Sequence, residues 1–292
     1  MPIKESELIL NPDGSVYHLN LKPEHIAKNI ITVGDPDRVN KVTSFFDNIE
    51  FKIQKREFHT QTGVYKGKRI TVISTGIGTD NIDIVLNELD ALVNIDLEKR
   101  EVKKNLTSLD IIRIGTSGAI QKNIPINSFL ISESAIGFDS LLDYYKSDKY
   151  QDLNISEALK SYLKLQDEKY SPYAVSGNLD LINHFNSTKT HLGITGTNVG
   201  FYGPQGRSLR LELKYAGLNN KLASFNFNGK TITNLEMETA GIYGLSLLLG
   251  HRAISMNAII ANRNNGLFSD NPEQTINDLI LYTLDKIVTL VN

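Results

Sequence analysis

Gly34-Asp35-Pro36-Asp37-Arg38 follows an Ile- and Val-rich run at 30–33. A glycine at a strand end lets backbone amides approach an anion closely, and Arg38 adds a charge-assisted hydrogen bond. Arg113-Ile114-Gly115-Thr116-Ser117-Gly118-Ala119 repeats the theme after the run 111–114. Its two glycines flank two hydroxyls, a small donor-rich cradle of the kind that open α/β sheets place at the carboxyl ends of their strands. It lacks both the lysine of a Walker loop and the GxGxxG spacing of a dinucleotide fingerprint. Gly76-Ile77-Gly78 is a third, weaker instance. Glu236-Met237-Glu238 offers carboxylates that can accept two hydrogen bonds from a diol, which suits a ribose. Phe201-Tyr202-Gly203-Pro204-Gln205-Gly206-Arg207 holds an amide and a guanidinium two residues apart. Glutamine donates and accepts at once, matching the imide edge of uracil, and arginine can stabilise a carbonyl oxygen that gains charge. Taken singly, each segment also reads as ordinary structure: a turn closed by Asp and Pro, a packing turn, acidic residues at a helix start, a surface loop.

Other chemistries are excluded. The chain has no cysteine, which removes disulfides, thiolate nucleophiles and cysteine-bound metals. Its six histidines form no HxH or HxxxH pair, so no metal is expected, and no serine–histidine spacing marks a nucleophile. A net charge of −2 gives no basic excess for nucleic acid or an anionic membrane. The first fifteen residues carry early charges without an apolar core, and the apolar stretch 242–249 is short and interrupted by Gly244. A cytoplasmic globular protein is expected.

The elements that must position these residues follow from hydrophobic period. Strands are predicted at 30–33, 70–75, 111–114, 129–131 and 253–260, each rich in Ile and Val as buried central strands are. After Thr79-Asp80 a helix is predicted, capped by Asp80, with Ile82, Val85, Leu86, Leu89 and Val93 on one face. A second begins near Glu238 and stops at Gly250. The last is capped by Asn271 with Pro272 at its first position, and Ile276, Leu279, Ile280, Leu284, Ile287 and Val288 form its stripe. The polar stretch 96–105 reads as a solvated helix end or loop, and 143–173 gives no clear pattern. With no linker or repeat, one α/β domain over 1–292 is expected.

In order along the chain, the segments GDPDRV (34–39), REF (56–58), STGIG (74–78), RIGTSGAIQ (113–121), FYGPQGR (201–207) and NLEMET (234–239) resemble the uridine phosphorylase branch of the nucleoside phosphorylase superfamily. The resemblance runs from Val16 to Arg263. It implies a single-domain, three-layer α/β/α fold with a mixed, partly barrel-like central sheet. It implies a pentosyltransferase of nucleoside salvage that cleaves uridine with inorganic phosphate to uracil and ribose 1-phosphate. By the same resemblance, Gly34, Arg38, Arg113 and Thr116 bind phosphate, joined by Arg56 from a neighbouring subunit. His18 crosses that interface to the ribose 5′-hydroxyl, while Met237 and Glu238 hold the sugar. Gln205 and Arg207 grip the base, with Phe201 packed against the nucleoside and Arg263 beside them. The family assembles as homodimers, alone or three to a hexamer. No cofactor is implied beyond phosphate as co-substrate. Some bacterial members bind a monovalent cation with a glutamate and a serine; Glu57 stands at the first position but Asn81 at the second, a departure from that site.

The related purine enzymes carry Ser-Asp where this chain has Asn262-Arg263, and that aspartate protonates the purine. Asn262 cannot, which favours a pyrimidine, although Met-Glu-Thr-Ala-Gly-Ile-Tyr-Gly (237–244) is phrased like purine members. The alternatives are a purine nucleoside phosphorylase, a hydrolytic nucleosidase, and a non-catalytic nucleoside-binding protein that kept the fold.

Overall fold

The computed structural model describes residues 2–165 and 171–291. The part of the 143–173 segment that falls at 166–170 lies outside them. The strands are β1 (Asn29–Val33), β2 (Asn48–Lys55), β3 (Phe58–Tyr65), β4 (Lys68–Ser74), β5 (Ile95–Asp96), β6 (Glu101–Val102), β7 (Asp110–Ala119), β8 (Ser128–Phe138), β9 (Tyr173–Ser176), β10 (Thr190–Asn198), β11 (Asn226–Phe227), β12 (Lys230–Glu236), β13 (Arg252–Asn262) and β14 (Leu267–Phe268). The helices are α1 (Pro36–Thr43), α2 (Thr79–Asn94), α3 (Leu153–Leu163), α4 (Leu179–Phe185), α5 (Leu218–Ser224), α6 (Thr239–Leu249) and α7 (Pro272–Val288).

The buried Ile and Val runs form the middle of a mixed sheet in the order β11-β12-β10-β8-β13-β7-β1-β4-β3-β2. Parallel pairs join β1 to β4 and β7, β13 to β7, and β10 to β8 and β12. Two-residue turns close the hairpins at Lys66-Gly67 and Asn228-Gly229, both residues of each having positive φ, the backbone that matches strand twist. β12 also pairs back onto β7, through Asn234 opposite Ala119 and Leu235 opposite Gly118. This closes β7-β13-β8-β10-β12 into a five-strand circuit. The expected partly barrel-like sheet is therefore present. One face carries α2 and α6, packed through residues such as Leu86, Leu89, Ile242 and Leu245. The other carries α1, α4 and α7, packed through Val39, Phe185, Leu279 and Leu284. These are the three expected layers.

A chain of buried polar side chains follows the circuit strand by strand. Ser117 (β7) accepts from the Asn234 amide (β12) at 2.9 Å, and Asn234 Oδ1 accepts from Thr195 (β10) at 2.8 Å. Thr195 and Ser132 (β8) share a hydroxyl bond of 2.5 Å, and the Asn257 amide (β13) donates to Ser132 at 3.4 Å. Burial of polar groups is offset when they bond one another, and such chains polarise cooperatively.

Several boundaries differ from the sequence pattern. The run at 111–114 continues as strand to Ala119, so Gly115–Ala119 is extended backbone rather than a cradle-forming turn. β8 likewise runs well past 131. Asp80 does not cap α2; Gly78 does, at φ 101°, a conformation that favours glycine. The 96–105 stretch holds the short β5–β6 hairpin, because α2 already ends at Asn94. α6 stops at Gly250 and α7 starts at Asn271 and Pro272, as the pattern predicts. Among the described residues no helix is long and apolar enough to cross a membrane.

Gly137 on β8 lies directly opposite Tyr173 on β9. A Cβ there would sit 2.1–2.6 Å from three atoms of the buried Tyr173 ring, whose hydroxyl donates to Asp139. Gly137→Ala is expected to lower stability by about 1–3 kcal/mol through overpacking, read from the denaturant midpoint at constant m.

Candidate active site

β7 carries Arg113 with 6% of its surface exposed. Its side chain folds forward over Gly115, where a Cβ would lie 1.9 Å from Nη1. Glycine at 115 thus makes the space that the guanidinium occupies. Nη2 meets Glu238 Oε2 at 2.5 Å and Glu236 Oε2 at 3.1 Å, while Nη1 donates to Asn257 Oδ1 at 3.0 Å.

The two glutamates divide their labour. Glu236 ends β12 and accepts from the backbone N–H groups of Glu238 and Thr239, and from Thr197 Oγ1. That is the helix-start role open to any acidic residue there. Glu238 is the N-cap of α6, yet its carboxylate turns outward from that helix. Oε1 accepts from Gly78 N at 3.0 Å and Oε2 from Arg113, so it joins the starts of two helices to β7. Burial pushes the Glu238 carboxyl up, Arg113 opposes this, and Glu236 adds to the rise. Burial works against the Arg113 guanidinium too, but Glu236 and Glu238 hold it above its ordinary value. Each oxygen of the Glu238 carboxylate accepts one bond and retains capacity for a further donor.

Arg38, half-buried on α1, donates to Ile114 O at 3.4 Å. Its guanidinium is lowered first by burial and then by the charge of Arg113. Two guanidinium groups that repel each other across a partly buried space favour an anion between them. Gly34 directly follows β1 beside Gly76, where the protein's own atoms would allow a Cβ at ordinary contact distance. Thr116 is half-buried on β7, opposite Ala258 of β13. Met237 is half-buried between the two glutamates.

A second cluster forms around Gln205, 2% exposed in the 3-10 turn Gly203–Gln205. Arg207 Nη1 donates to Gln205 Oε1 at 2.7 Å and to Phe201 O at 2.5 Å, and its Cζ lies 3.8 Å from the Phe201 ring centroid. Arg263, the first residue after β13, donates through Nη1 to Gln205 O at 2.5 Å. Burial and then the Arg263 charge push the Arg207 guanidinium down to about 10; burial lowers Arg263 as well. Residues 201, 205, 207 and 263, which the resemblance groups at the base, thus lie together. The Arg263 stem also lies 3.5 Å from where a Cβ on Gly118 would stand. Gly115, under the Arg113 guanidinium, and Gly118, under the Arg263 stem, are three residues apart on β7 and therefore face opposite sides of the strand. Arg113 and Asn257 lie within β7 and β13, and Arg263 directly follows the carboxyl end of β13, the end at which parallel sheets place ligands.

His18 and Arg56 lie elsewhere. The backbone N–H and Nδ1 of His18 meet Glu88 Oε1 of α2 at 2.9 and 2.7 Å. Arg56 is exposed on the β2–β3 turn at φ 56°. Neither bonds the Arg113 cluster within the chain. Glu57 and Asn81 converge on Gly76, where a Cβ would lie 3.2 Å from Glu57 Cγ and 2.4 Å from Asn81 Nδ2. No group of three His, Asp or Glu residues among the described residues is placed to hold a metal ion. A cavity of about 1040 Å³ opens beside the Gln205 loop, lined by Tyr202, Pro204, Arg207, Leu209 and Leu218 among others.

Some members of the site carry no mark in the motifs. Asn257 interrupts the apolar run from Met256 to Ile260, a pattern that itself signals a buried polar contact. Asn198, whose amide holds Pro204 O at 3.0 Å, has no such signal, and neither has Glu88, which holds His18 away from both clusters.

Residues 28–281 match the sequence model of the Phosphorylase superfamily. A uridine phosphorylase of Thermococcus kodakarensis is 31% identical over 271 residues, 90% of this chain and 83% of that protein. A DeoD-type purine nucleoside phosphorylase of Shewanella denitrificans is 26% identical over 276 residues, 94% of this chain and 98% of that protein. Among solved structures, a Trypanosoma brucei nucleoside phosphorylase that shows uridine phosphorylase activity superposes with a TM-score of 0.86 at 29% identity, covering 97% of this chain and all of the other. With the match spanning most of its length and the fold shared throughout, the chain belongs to the phosphorylase superfamily.

Proposed function

We propose that this protein catalyses the phosphorolysis of uridine to uracil and ribose 1-phosphate. The carrying observation is the convergence of Gln205, Arg207 and Arg263 from two distant segments onto one point, in a chain that also buries the Arg113–Glu238 pair. The relatives named uridine phosphorylase support the same reading.

In this reading phosphate lies between Arg38 and Arg113 near Gly34 and Thr116, and Glu238 accepts from the ribose hydroxyls beside Met237. A phosphate oxygen forms a bond to C1′ as the bond from C1′ to uracil N1 breaks. The electron pair departs into the uracil ring, where Gln205, Arg207 and Arg263 stabilise it against the face of Phe201. The uracil anion then takes a proton from water. Positioning of the two reactants supplies much of the remaining rate. This chemistry calls for phosphate as co-substrate and for no further cofactor. The exposed Arg56 and half-buried His18 are assigned to a neighbouring copy's site, so the working form is a homodimer at least. Its place is the cytoplasm, in keeping with a chain free of cysteine.

A second reading, purine phosphorolysis, is favoured by the 26% identity to purine relatives over nearly their whole length. The test is base release from uridine and inosine, each with and without inorganic phosphate. Phosphate-dependent uracil release exceeding hypoxanthine release is expected. Faster inosine turnover, or release independent of phosphate, refutes the proposal.

A further inference from the structure

Asn262, the last residue of β13, is 1% exposed, and its carboxamide is fully occupied by backbone. Nδ2 donates to Gln121 O and Ile124 O, both at 2.8 Å. Oδ1 accepts from Asn264 N at 3.0 Å and Asn265 N at 3.1 Å. An amide has two N–H groups and two lone pairs, and all four are used. The orientation is fixed by chemistry as well, since the flipped amide would set donors against N–H groups and an acceptor against carbonyls. The side chain therefore reaches into the turns on either side and not toward the base.

This changes what position 262 means. In the order Ser-Asp against Asn262-Arg263, the purine enzymes' aspartate falls at Arg263 and their serine at Asn262, and no atom of the Asn262 amide is left to meet a base. What Asn262 holds is the turn that starts with Arg263. The Arg263 backbone N–H is tied to Ala119 O at 2.8 Å, while Asn264 Nδ2 and Asn265 Nδ2 reach Ile120 O and Lys122 O, both at 3.2 Å. The 120–124 loop is pinned from its other side by Gln121 Nε2, which donates to Ala223 O and Ile232 O. Arg263 leaves this brace and reaches Gln205 O.

We propose that Asn262 is a positioning residue for base recognition: it locks the turn that aims Arg263 at the Gln205 loop, and the binding of uridine depends on that lock. The inference rests on the reading that Gln205, Arg207 and Arg263 face the base.

The test is a double-mutant cycle on uridine phosphorolysis with Asn262→Asp and Arg263→Ala. The aspartate keeps the shape but turns acceptors toward the two carbonyls of Gln121 and Ile124. Asn262→Asp is expected to lower kcat/KM for uridine roughly 10- to 100-fold, mainly through KM, and to confer no inosine turnover. In the Arg263→Ala background the same substitution is expected to cost at most about 2-fold, because the aimed group is already gone. Equal losses in both backgrounds overturn the proposal, as does a gain of inosine phosphorolysis by Asn262→Asp. If Asn262→Asp does not fold, Asn262→Ser is read by the same two criteria. Absence of uridine turnover in the unsubstituted enzyme refutes the underlying reading, whereas turnover with additive losses refutes the role of Asn262 alone.

Discussion

Arg113→Met is expected to lower stability by about 3–5 kcal/mol, the cost of stranding a buried charge. It is also expected to cut kcat/KM roughly 10²–10³-fold, as loss of one preorganised donor does. The two effects have different causes and can be separated. Stability falls because Glu236 and Glu238, 4% and 5% exposed, lose the guanidinium that both carboxylates share. Activity falls because the anion site loses one of its two arginines. Adding Glu236→Gln and Glu238→Gln to Arg113→Met removes the stranded charges. The triple variant is expected to regain part of the denaturation midpoint while phosphorolysis stays lost. Recovery of activity together with stability contradicts the assignment of Arg113 to the phosphate site.

Gly115→Ala is the second large effect, produced by one methyl group. The added Cβ would stand 1.9 Å from Nη1, 2.5 Å from Cζ and 2.8 Å from Nη2 of Arg113. A long side chain usually swings aside cheaply. This one is buried and held by Glu238, Glu236 and Asn257, so moving it breaks three contacts at once. A loss of roughly 10²-fold in kcat/KM is expected from the displaced guanidinium, with phosphate KM raised and Gln205, Arg207 and Arg263 undisturbed. Activity within a few-fold of the unsubstituted enzyme shows that the guanidinium has another seat, and removes the reason given for glycine at 115.

The sequence foretold the parts of the fold where local preference and burial agree. α7 is an example: Asn271 accepts from Gln274 N, Pro272 needs no donor, and the stripe from Ile276 to Ile287 is buried. β10 was illegible for the opposite reason. Its Gly, Thr and Asn residues look like loop, yet Gly193 is small because Thr233 of β12 packs where its side chain would be. β2 alternates Ile and Phe with charged residues on an edge, and its charges hid the period of two. In the site, the motifs pointed to Arg113 and to Glu238 separately. Their pairing joins residues 125 positions apart, and only the closure of β12 onto β7 decides it. The four bonds of Asn262 were likewise beyond reach, because its partners are backbone groups whose positions depend on two separate turns.

The five-strand circuit also dictates a timetable for synthesis. β1, β4 and β7 can pair once residue 119 has emerged, since their ladders use only the early part of the chain. β13 is inserted between β7 and β8, and it is made more than a hundred residues later. At ~5–20 residues per second, one edge of β7 waits on the order of ten seconds for its permanent neighbour. During that interval an Ile-rich strand presents unpaired amides and carbonyls, the template on which other chains add. The ribosome-bound intermediate is therefore the stage of this protein's life most exposed to aggregation, and a chain cut before residue 252 carries that open edge permanently.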